Sequence, residues 1–286
     1  MIESFVDSWT LFGDTYLAGW AVAVLLSLVG VFVVARDQIF VGAAVSQAST
    51  LGTAVAIWLQ GATVIHAFEN HAVTFAFAVA ASLLTALAST RVHRAGQESP
   101  EAITGWVFLV GSTVPVLLLA HHPHGLEEVH RLLFSSILGA SRGDVRLFGG
   151  LLVVSLAGVA CLHGRIVLYA MDPEMAGAVG MRLPLWRLGT ASWLGVTVGL
   201  AIHSAGMIYT FGCLVLPAMA ARKLCREVRT MFLVAPLLAL GAAVAAFVIA
   251  NDADMPPAQL AVALQCTVVG AAWLFRSRPR LAFRRP

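Results

Sequence analysis

Long apolar runs recur along the whole sequence and limit what the chain can fold into. A helix that spans a bilayer needs about 20 mostly apolar residues, and several runs approach or reach that length. Only 12% of the residues are charged, about half the share found in an average soluble domain. The runs are continuous and not alternating, which argues against a membrane β-barrel. The sequence therefore predicts an all-α polytopic membrane protein.

The apolar runs predict nine transmembrane helices in one transmembrane domain over residues 1–275. A basic cytoplasmic tail, 276–286, follows it. The sixth and seventh spans are short and nearly continuous, because only His203 to Gly206 separates them. The predicted spans lie near residues 16–35, 41–59, 72–90, 102–120, 148–163, 188–203, 207–221, 231–250 and 258–275.

The basic residues predict the orientation, because cytoplasmic segments of membrane proteins are enriched in Lys and Arg. With the N-terminus outside and the C-terminus inside, 15 of the 18 Lys and Arg residues fall on the cytoplasmic side. Only Arg131, Arg142 and Arg146 fall outside. An even number of spans would place a basic terminal cluster on the wrong side, so the pattern also favours nine.

Two connections are long enough to carry structure of their own. Segment 121–147 has apolar residues at roughly helical spacing and predicts a short amphipathic helix outside the membrane. In the cytoplasmic segment 164–187, Asp172 is suited to an N-cap and Pro173 to a first helical turn. A short helix over 173–179, ending at Gly180, is expected there.

No motif in the sequence indicates an enzyme. The chain has no Walker A, GxSxG or HExxH pattern, so ATP hydrolysis would have to occur in a partner. Its four cysteines are far apart and form no CxxC pair, which fits neither a zinc knuckle nor a disulfide framework. Nothing points to a nucleic-acid partner, and we expect the chain to bind no cofactor.

The stretch VGAAVSQASTLG, residues 41–52, places an uncharged polar cluster inside the second span. Ala43, Gln47 and Thr50 share one helix face, and Ser46 lies beside it. Polar groups at membrane depth usually face the bundle interior or a wet pathway. The hydroxyl groups could equally bond to carbonyls of their own helix. Gln47 is harder to satisfy in that way, because its amide needs several partners.

Four stretches together resemble a known family. LVGVFVVARDQIF and FVGAAVSQASTLG resemble the first and second helices of the permease subunits of ABC importers for zinc, manganese and iron. YAMDPEMAGAVGM resembles the cytoplasmic coupling region of that family, and AGMIYTFGCLVLPAMAARKL resembles its helix with a Leu-x-x-Pro-Ala motif. The four motifs occur in the family's order, and the resemblance covers about residues 16 to 275.

The resemblance implies a function as well as a fold. It implies a homodimeric permease in a bacterial plasma membrane that imports zinc or manganese by alternating access. Cytoplasmic ABC ATPase subunits would dock at a coupling helix whose motif matches Asp172, Glu174 and Gly180. An extracytoplasmic metal-binding protein would deliver the ion, and Ala43, Ser46, Gln47 and Thr50 would line its path.

The second helix departs from the family at two positions. The family's motif usually reads Gly-Asp-Ala-x-Ser-His-Ala, whereas Ala43 and Gln47 stand here for the Asp and the His. Divalent transition metals favour imidazole, carboxylate and thiolate ligands, so both strong ligands are missing. We consider His203, near the predicted outer membrane edge, as a substitute ligand or pathway residue. His121, His122 and His124 of the outer HHPHG segment could collect metal, or could belong to a loop that contacts the delivery protein.

The missing ligands leave two other functions open. An ABC permease for a metal chelate or a small organic cargo would need hydrogen bonds and space, not ion ligands. An ion-driven secondary carrier would usually place ionisable residues near the membrane midplane. No Asp, Glu, Lys or Arg lies deep within a predicted span, which makes the carrier the weaker alternative.

Overall fold

The computed structural model describes residues 2–62, 71–90, 100–120, 127 and 139–275. Helices account for almost all of these residues, and no strand occurs among them. The helices are α1 (Ile2–Ala35), α2 (Ile39–Ala62), α3 (His71–Ser89), α4 (Pro100–Leu119), α5 (Arg142–Met171), α6 (Pro173–Ala178), α7 (Leu183–Ala205), α8 (Met207–Leu224), α9 (Val228–Ala253) and α10 (Pro257–Phe275).

Nine helices in the described part of the chain are long and apolar enough to cross a membrane. They coincide with the nine predicted spans, which confirms the all-α polytopic fold. Among the described helices, only α6, with six residues, is too short to span. The predicted break between the sixth and seventh spans is also present, because α7 ends at Ala205 and α8 begins at Met207.

The fifth span is longer than predicted. Helix α5 has 30 residues and is therefore about 45 Å long, whereas the span was predicted only over 148–163. A capping box between Ser141 and Asp144 starts the helix at Arg142, and Pro173 disfavours helical backbone at Asp172, just after its end. The predicted helix end at residue 163 is wrong because Gly164 and Arg165 continue the helix.

Two compact units make up the chain. Unit 1 comprises Met1–Asp37, Ser141–Asp172 and Gly212–Pro286, and unit 2 comprises Gln38–Ala140 and Pro173–Phe211. In unit 1, α1 packs against α5 and α9, and α9 also packs against α10. From Val22 to Val34, helix α1 is apolar on all sides apart from Ser27, as expected of a helix at the centre of a bundle, and nearly all residues of this stretch are buried.

In unit 2, α2 packs against α3, α4 and α7, and α3 packs against α7. Glycines bring α7 and α3 into close approach. A methyl group on Gly195 would lie 2.6 Å from Leu83 Cα, and one on Gly199 would lie 2.9 Å from Val79 Cα. The Ser82 hydroxyl donates a hydrogen bond to the Gly195 carbonyl oxygen across this contact, at 2.7 Å. Membrane helices commonly associate through such small residues and interhelical hydrogen bonds.

This contact predicts a difference between two glycines of α7. We expect Gly195→Ala to destabilise the protein by about 1–3 kcal/mol, because the new methyl group overpacks the contact with α3. The control is Gly189→Ala, since a methyl group on this exposed glycine meets nothing within 4 Å. Thermal unfolding of the detergent-solubilised protein measures both effects. Equal midpoints for the two variants would contradict the close contact between α3 and α7.

Candidate functional site

The polar cluster of the second span lies in the first four turns of α2. Ala43, Ser46, Gln47 and Thr50 are all buried, and no charged residue occurs between Ile39 and Ala62. The site is therefore neutral. It offers hydroxyl and carboxamide groups but no carboxylate, imidazole or thiolate.

The hydroxyl groups of this cluster bond to carbonyls of their own helix. Ser46 Oγ donates to the Gly42 carbonyl at 2.9 Å, and Thr50 Oγ1 donates to the Ser46 carbonyl at 3.3 Å. Thr53 Oγ1 donates to the Ser49 carbonyl at 3.1 Å. The hydroxyl hydrogens are thus used within α2, and the oxygens remain able to accept hydrogen bonds. A role of Ser46 and Thr50 in a pathway stays a prediction.

Gln47 differs from these hydroxyl residues. Its side chain is only 6% exposed, and its Oε1 is buried without a hydrogen-bond partner. A buried, unsatisfied acceptor costs about 1–3 kcal/mol. Gly111 of α4 allows the close approach at this point, since a methyl group there would lie 2.8 Å from Gln47 Cβ. Sequence reasoning did not identify Gly111, because nothing in the sequence pairs α2 with α4 at that position.

His203 lies in the last turn of α7, in unit 2. Its ring is half-buried and meets the Phe75 ring of α3 edge-on, with 5.3 Å between the ring centroids. The helix ends two residues later, before Gly206, whose φ of 77° lies in the left-handed region. The aromatic contact fixes the imidazole against α3, and its role as a substitute metal ligand stays a prediction.

The structure brings no metal centre together within its described ranges. No group of three or more His, Cys, Asp or Glu side chains there is arranged to hold a metal ion. The outer histidines His121, His122 and His124 lie outside the described residues, as does most of the predicted amphipathic helix of segment 121–147.

The predicted coupling segment is a short helix with a defined end. Asp172 is the single residue between α5 and α6, in extended backbone conformation. The predicted helix over 173–179 is observed as Pro173–Ala178. After it, Gly180 adopts a φ of 89°, a conformation that favours glycine. Its N–H donates to the Gly177 carbonyl, and the Met181 N–H donates to the Ala176 carbonyl, both at 3.0 Å, as in a Schellman motif.

Helix α6 presents a mixed polar and apolar surface. It buries Ala176 and leaves Asp172, Glu174 and Met175 exposed. The carboxylates of this segment are accessible, and an exposed apolar side chain lies beside them. Such a surface suits contact with another protein.

Two curated relatives and one solved structure are similar to the chain over most of its length. The manganese transport system membrane protein MntC of Halalkalibacterium halodurans is 21% identical, covering 94% of this chain and 88% of the relative. The chelated iron transport system membrane protein YfeD of Yersinia pestis is 23% identical, covering 83% and 76%. PsaBC from Streptococcus pneumoniae in complex with Fab has the same fold, with a TM-score of 0.80, 18% identity and 98% of both chains covered.

The family model described as the ABC 3 transport family matches residues 9–276, nearly the whole chain. The match includes α2, α6 and all nine candidate spans except the first residue of the first one. It places the chain among the permease subunits of ABC transporters, whose ATPase is a separate subunit, and not among ion-driven carriers. The chain therefore belongs to the ABC 3 transport family and is a multi-pass permease subunit of a bacterial plasma membrane.

Proposed function

We propose that this chain imports divalent transition-metal ions, with zinc and manganese as the first candidates, in an ATP-driven transporter. The observation that carries the proposal is the family match over residues 9–276. The names of the relatives support a metal cargo, since one is a manganese transport protein and another a chelated iron transport protein.

The proposed path follows the polar face of α2, and its central residue is Gln47. The unpartnered Oε1 of Gln47 provides an acceptor for a cargo or its water. The hydroxyl oxygens of Ser46 and Thr50 can accept further hydrogen bonds. Ala43 has a small side chain and supplies no ligand. Transport would proceed by alternating access, with the path open first to the outside and then to the cytoplasm.

The proposal includes an orientation and two kinds of protein partner. The positive-inside distribution supports an outer N-terminus and an inner C-terminus. In this orientation α6 faces the cytoplasm, where ATPase subunits would contact Asp172, Glu174 and the turn at Gly180. A metal-binding protein would deliver the ion at the opposite face, where His203 and the HHPHG segment, residues 121–125, lie in this orientation.

We also propose that two copies of the chain form the permease. Helix α5 exposes a stripe of small or compact residues, and small residues permit close approach of membrane helices. A second copy of the chain packed on this stripe would cover it. The number of copies of the chain in the purified complex tests whether the permease is a dimer. The stripe consists of Gly150, Val154, Ala157, Cys161 and Gly164.

Cellular metal content tests the cargo. We expect total zinc or manganese to fall in a metal-starved strain that lacks this chain, and to recover when the gene is restored. Elemental analysis of washed cells measures zinc, manganese and iron together. Restoration with a Gln47→Leu variant tests the path, because it replaces the acceptor with an apolar side chain, and we expect it to restore less metal than the wild-type gene. Unchanged content of all three metals would contradict a metal cargo.

A second candidate function keeps the fold and changes the cargo to a metal chelate or a small organic molecule. The observation that favours it is the neutral site around Ala43 and Gln47. Such a site can hydrogen-bond a molecule but binds a bare transition-metal ion weakly.

Restoring the family's ligands separates the two functions. In the double variant Ala43→Asp and Gln47→His, we expect uptake of free zinc or manganese to rise if the native cargo is the ion. Loss of native transport without any gain in ion uptake would favour the chelate or organic cargo. The control variant Ala43→Asn and Gln47→Asn has polar side chains without a carboxylate or imidazole. Uptake of radioactive zinc and manganese by cells measures both variants.

The coupling role of α6 is tested by neutralising its carboxylates. In Asp172→Asn and Glu174→Gln, we expect uptake to fall by about tenfold while the assembled complex still hydrolyses ATP. The physical reason is that the ATPase would no longer engage α6 firmly enough to move it. Glu227→Gln is the control, since Glu227 is an exposed acid at the start of α9. Normal uptake per ATP in the α6 variants would count against this role.

A further inference from the structure

The turn between α1 and α2 has an unusual backbone conformation. Asp37 has a φ of 55° and is one of only two non-glycine residues with positive φ in the described part of the chain. Left-handed backbone is costly for most residues and is tolerated best by Gly, Asn and Asp. The conformation turns the chain from the end of α1, at Ala35, to the start of α2, at Ile39.

Arg222, from the last turn of α8, holds this turn. Its Nη1 donates to the carbonyl oxygen of Val34 at 3.1 Å and pairs with the carboxylate of Asp37. The Val34 carbonyl is among the last four of α1, which have no partner within the helix. One guanidinium therefore caps α1 and fixes the left-handed residue that follows it.

Arg36, in the same turn, is held from the other side. Its guanidinium lies 4.8 Å from the centroid of the Tyr169 ring and 5.5 Å from that of Phe32. These two rings stack on each other, with 6.0 Å between their centroids. Tyr169 is only 2% exposed, so its position follows that of α5 closely. Arg36 thus connects the turn to α5 by a cation–π contact.

This cluster of contacts lies next in sequence to α6 on one side and to α2 on the other. Tyr169 lies in the last turn of α5, three residues before Asp172, where the chain enters α6. On the other side, Asp37 leads through Gln38 into α2, which carries Gln47. All the contacts lie within unit 1, and the chain leaves unit 1 at both Asp37 and Asp172.

We propose that Arg36, Tyr169 and Arg222 are positioning residues that transmit movement of the coupling helix α6 to α2. A displacement of α6 pulls the end of α5, and the Tyr169 ring carries Arg36 with it. Because Arg222 holds Asp37 in a fixed conformation, the turn moves as one piece and α2 follows. This inference rests on the proposed function of α6 as the contact for the ATPase.

A simple cap on α1 does not account for the whole cluster. Capping and the left-handed conformation need Arg222 and Asp37, but they do not need the contact between Arg36 and Tyr169. Relay of movement needs the Arg36–Tyr169 contact as well as the Arg222–Asp37 pair, because with either one alone the turn could move independently of α5 or α8. Removal of the Arg36–Tyr169 contact therefore distinguishes a relay from a cap.

Hydrogen exchange of the assembled complex, with and without a non-hydrolysable ATP analogue, tests the relay. In the wild type we expect the nucleotide to change exchange both in the coupling segment, residues 172–182, and at the start of α2, residues 36–45. In Tyr169→Leu and Arg36→Gln, the change should persist in the coupling segment and disappear at the start of α2. Tyr169→Phe is the matched control, because it keeps the ring and should respond like the wild type.

Uptake and ATP hydrolysis in the same vesicles provide the second measurement, with zinc and manganese as the probes. We expect uptake per ATP hydrolysed to fall by about two- to thirtyfold in Tyr169→Leu, Arg36→Gln and Arg222→Gln. Asp37→Asn retains a residue that tolerates positive φ, and should lose less than Arg222→Gln. Arg36→Gln, at a half-exposed site, keeps the test valid if Tyr169→Leu does not fold.

Two results would overturn the relay. One is a nucleotide-dependent change at the start of α2 that survives in Tyr169→Leu and Arg36→Gln. The other is a drop in thermal stability with unchanged uptake per ATP, which would make the cluster purely structural. If the wild type itself takes up neither ion, the proposed cargo fails instead, while hydrogen exchange still decides the relay.

Discussion

The structure depends on one constraint of the bilayer, which is that every backbone N–H and C=O group must find a partner inside the protein. Helices meet this constraint within each span, and apolar lipid provides little force to bring them together. The helices must therefore associate through close packing and a few hydrogen bonds. Gly195 and Gly199 allow α7 to reach α3, and Ser82 bonds across the contact. Within unit 1, the Tyr16 hydroxyl of α1 donates to Oδ1 of Asn251 in α9 at 3.2 Å.

The polar side chains of α2 also need hydrogen-bond partners inside the protein. Ser46, Thr50 and Thr53 satisfy their hydroxyl hydrogens on their own helix and need no pathway to explain them. Gln47 and Ser49 keep an unpartnered buried oxygen, but they lie about 200° apart around the helix. The two atoms therefore do not define one wet face. Only Gln47 shares its face with Ala43 and Thr50, so the case for a pathway depends on this residue.

The sequence predicted the nine spans because each is marked by an apolar run that neither loops nor soluble helices contain. It predicted helix ends less well, because these depend on local caps and breaks. The Ser141–Asp144 box and the Asp172–Pro173 break set the length of α5, while Gly164 and Arg165, which resemble a loop, do not interrupt it. The sequence also predicted the short helix α6 and its end at Gly180, because the Pro and Gly signals that define them are local.

Contacts between distant parts of the chain could not be predicted in this way. Arg222 and Asp37 are 185 residues apart, and as a sequence feature Arg222 was only one charge in a basic cluster. Gly111 is likewise one small residue among several in its span. Its importance is visible only in the structure, where α2 packs against it. No periodicity or composition joins such residues, since only the packed arrangement of helices brings them together.

The neutral site has a consequence for the energetics of import under the proposed function. A carboxylate and an imidazole bind a transition-metal ion strongly, and the transporter must break these bonds to release it. Carboxamide and hydroxyl oxygens bind such an ion weakly, so the ion keeps more of its water and leaves easily. Selection among ions then falls on the protein that delivers them. The free energy of ATP hydrolysis would then serve mainly to switch access, through the mechanical connection between α6 and α2.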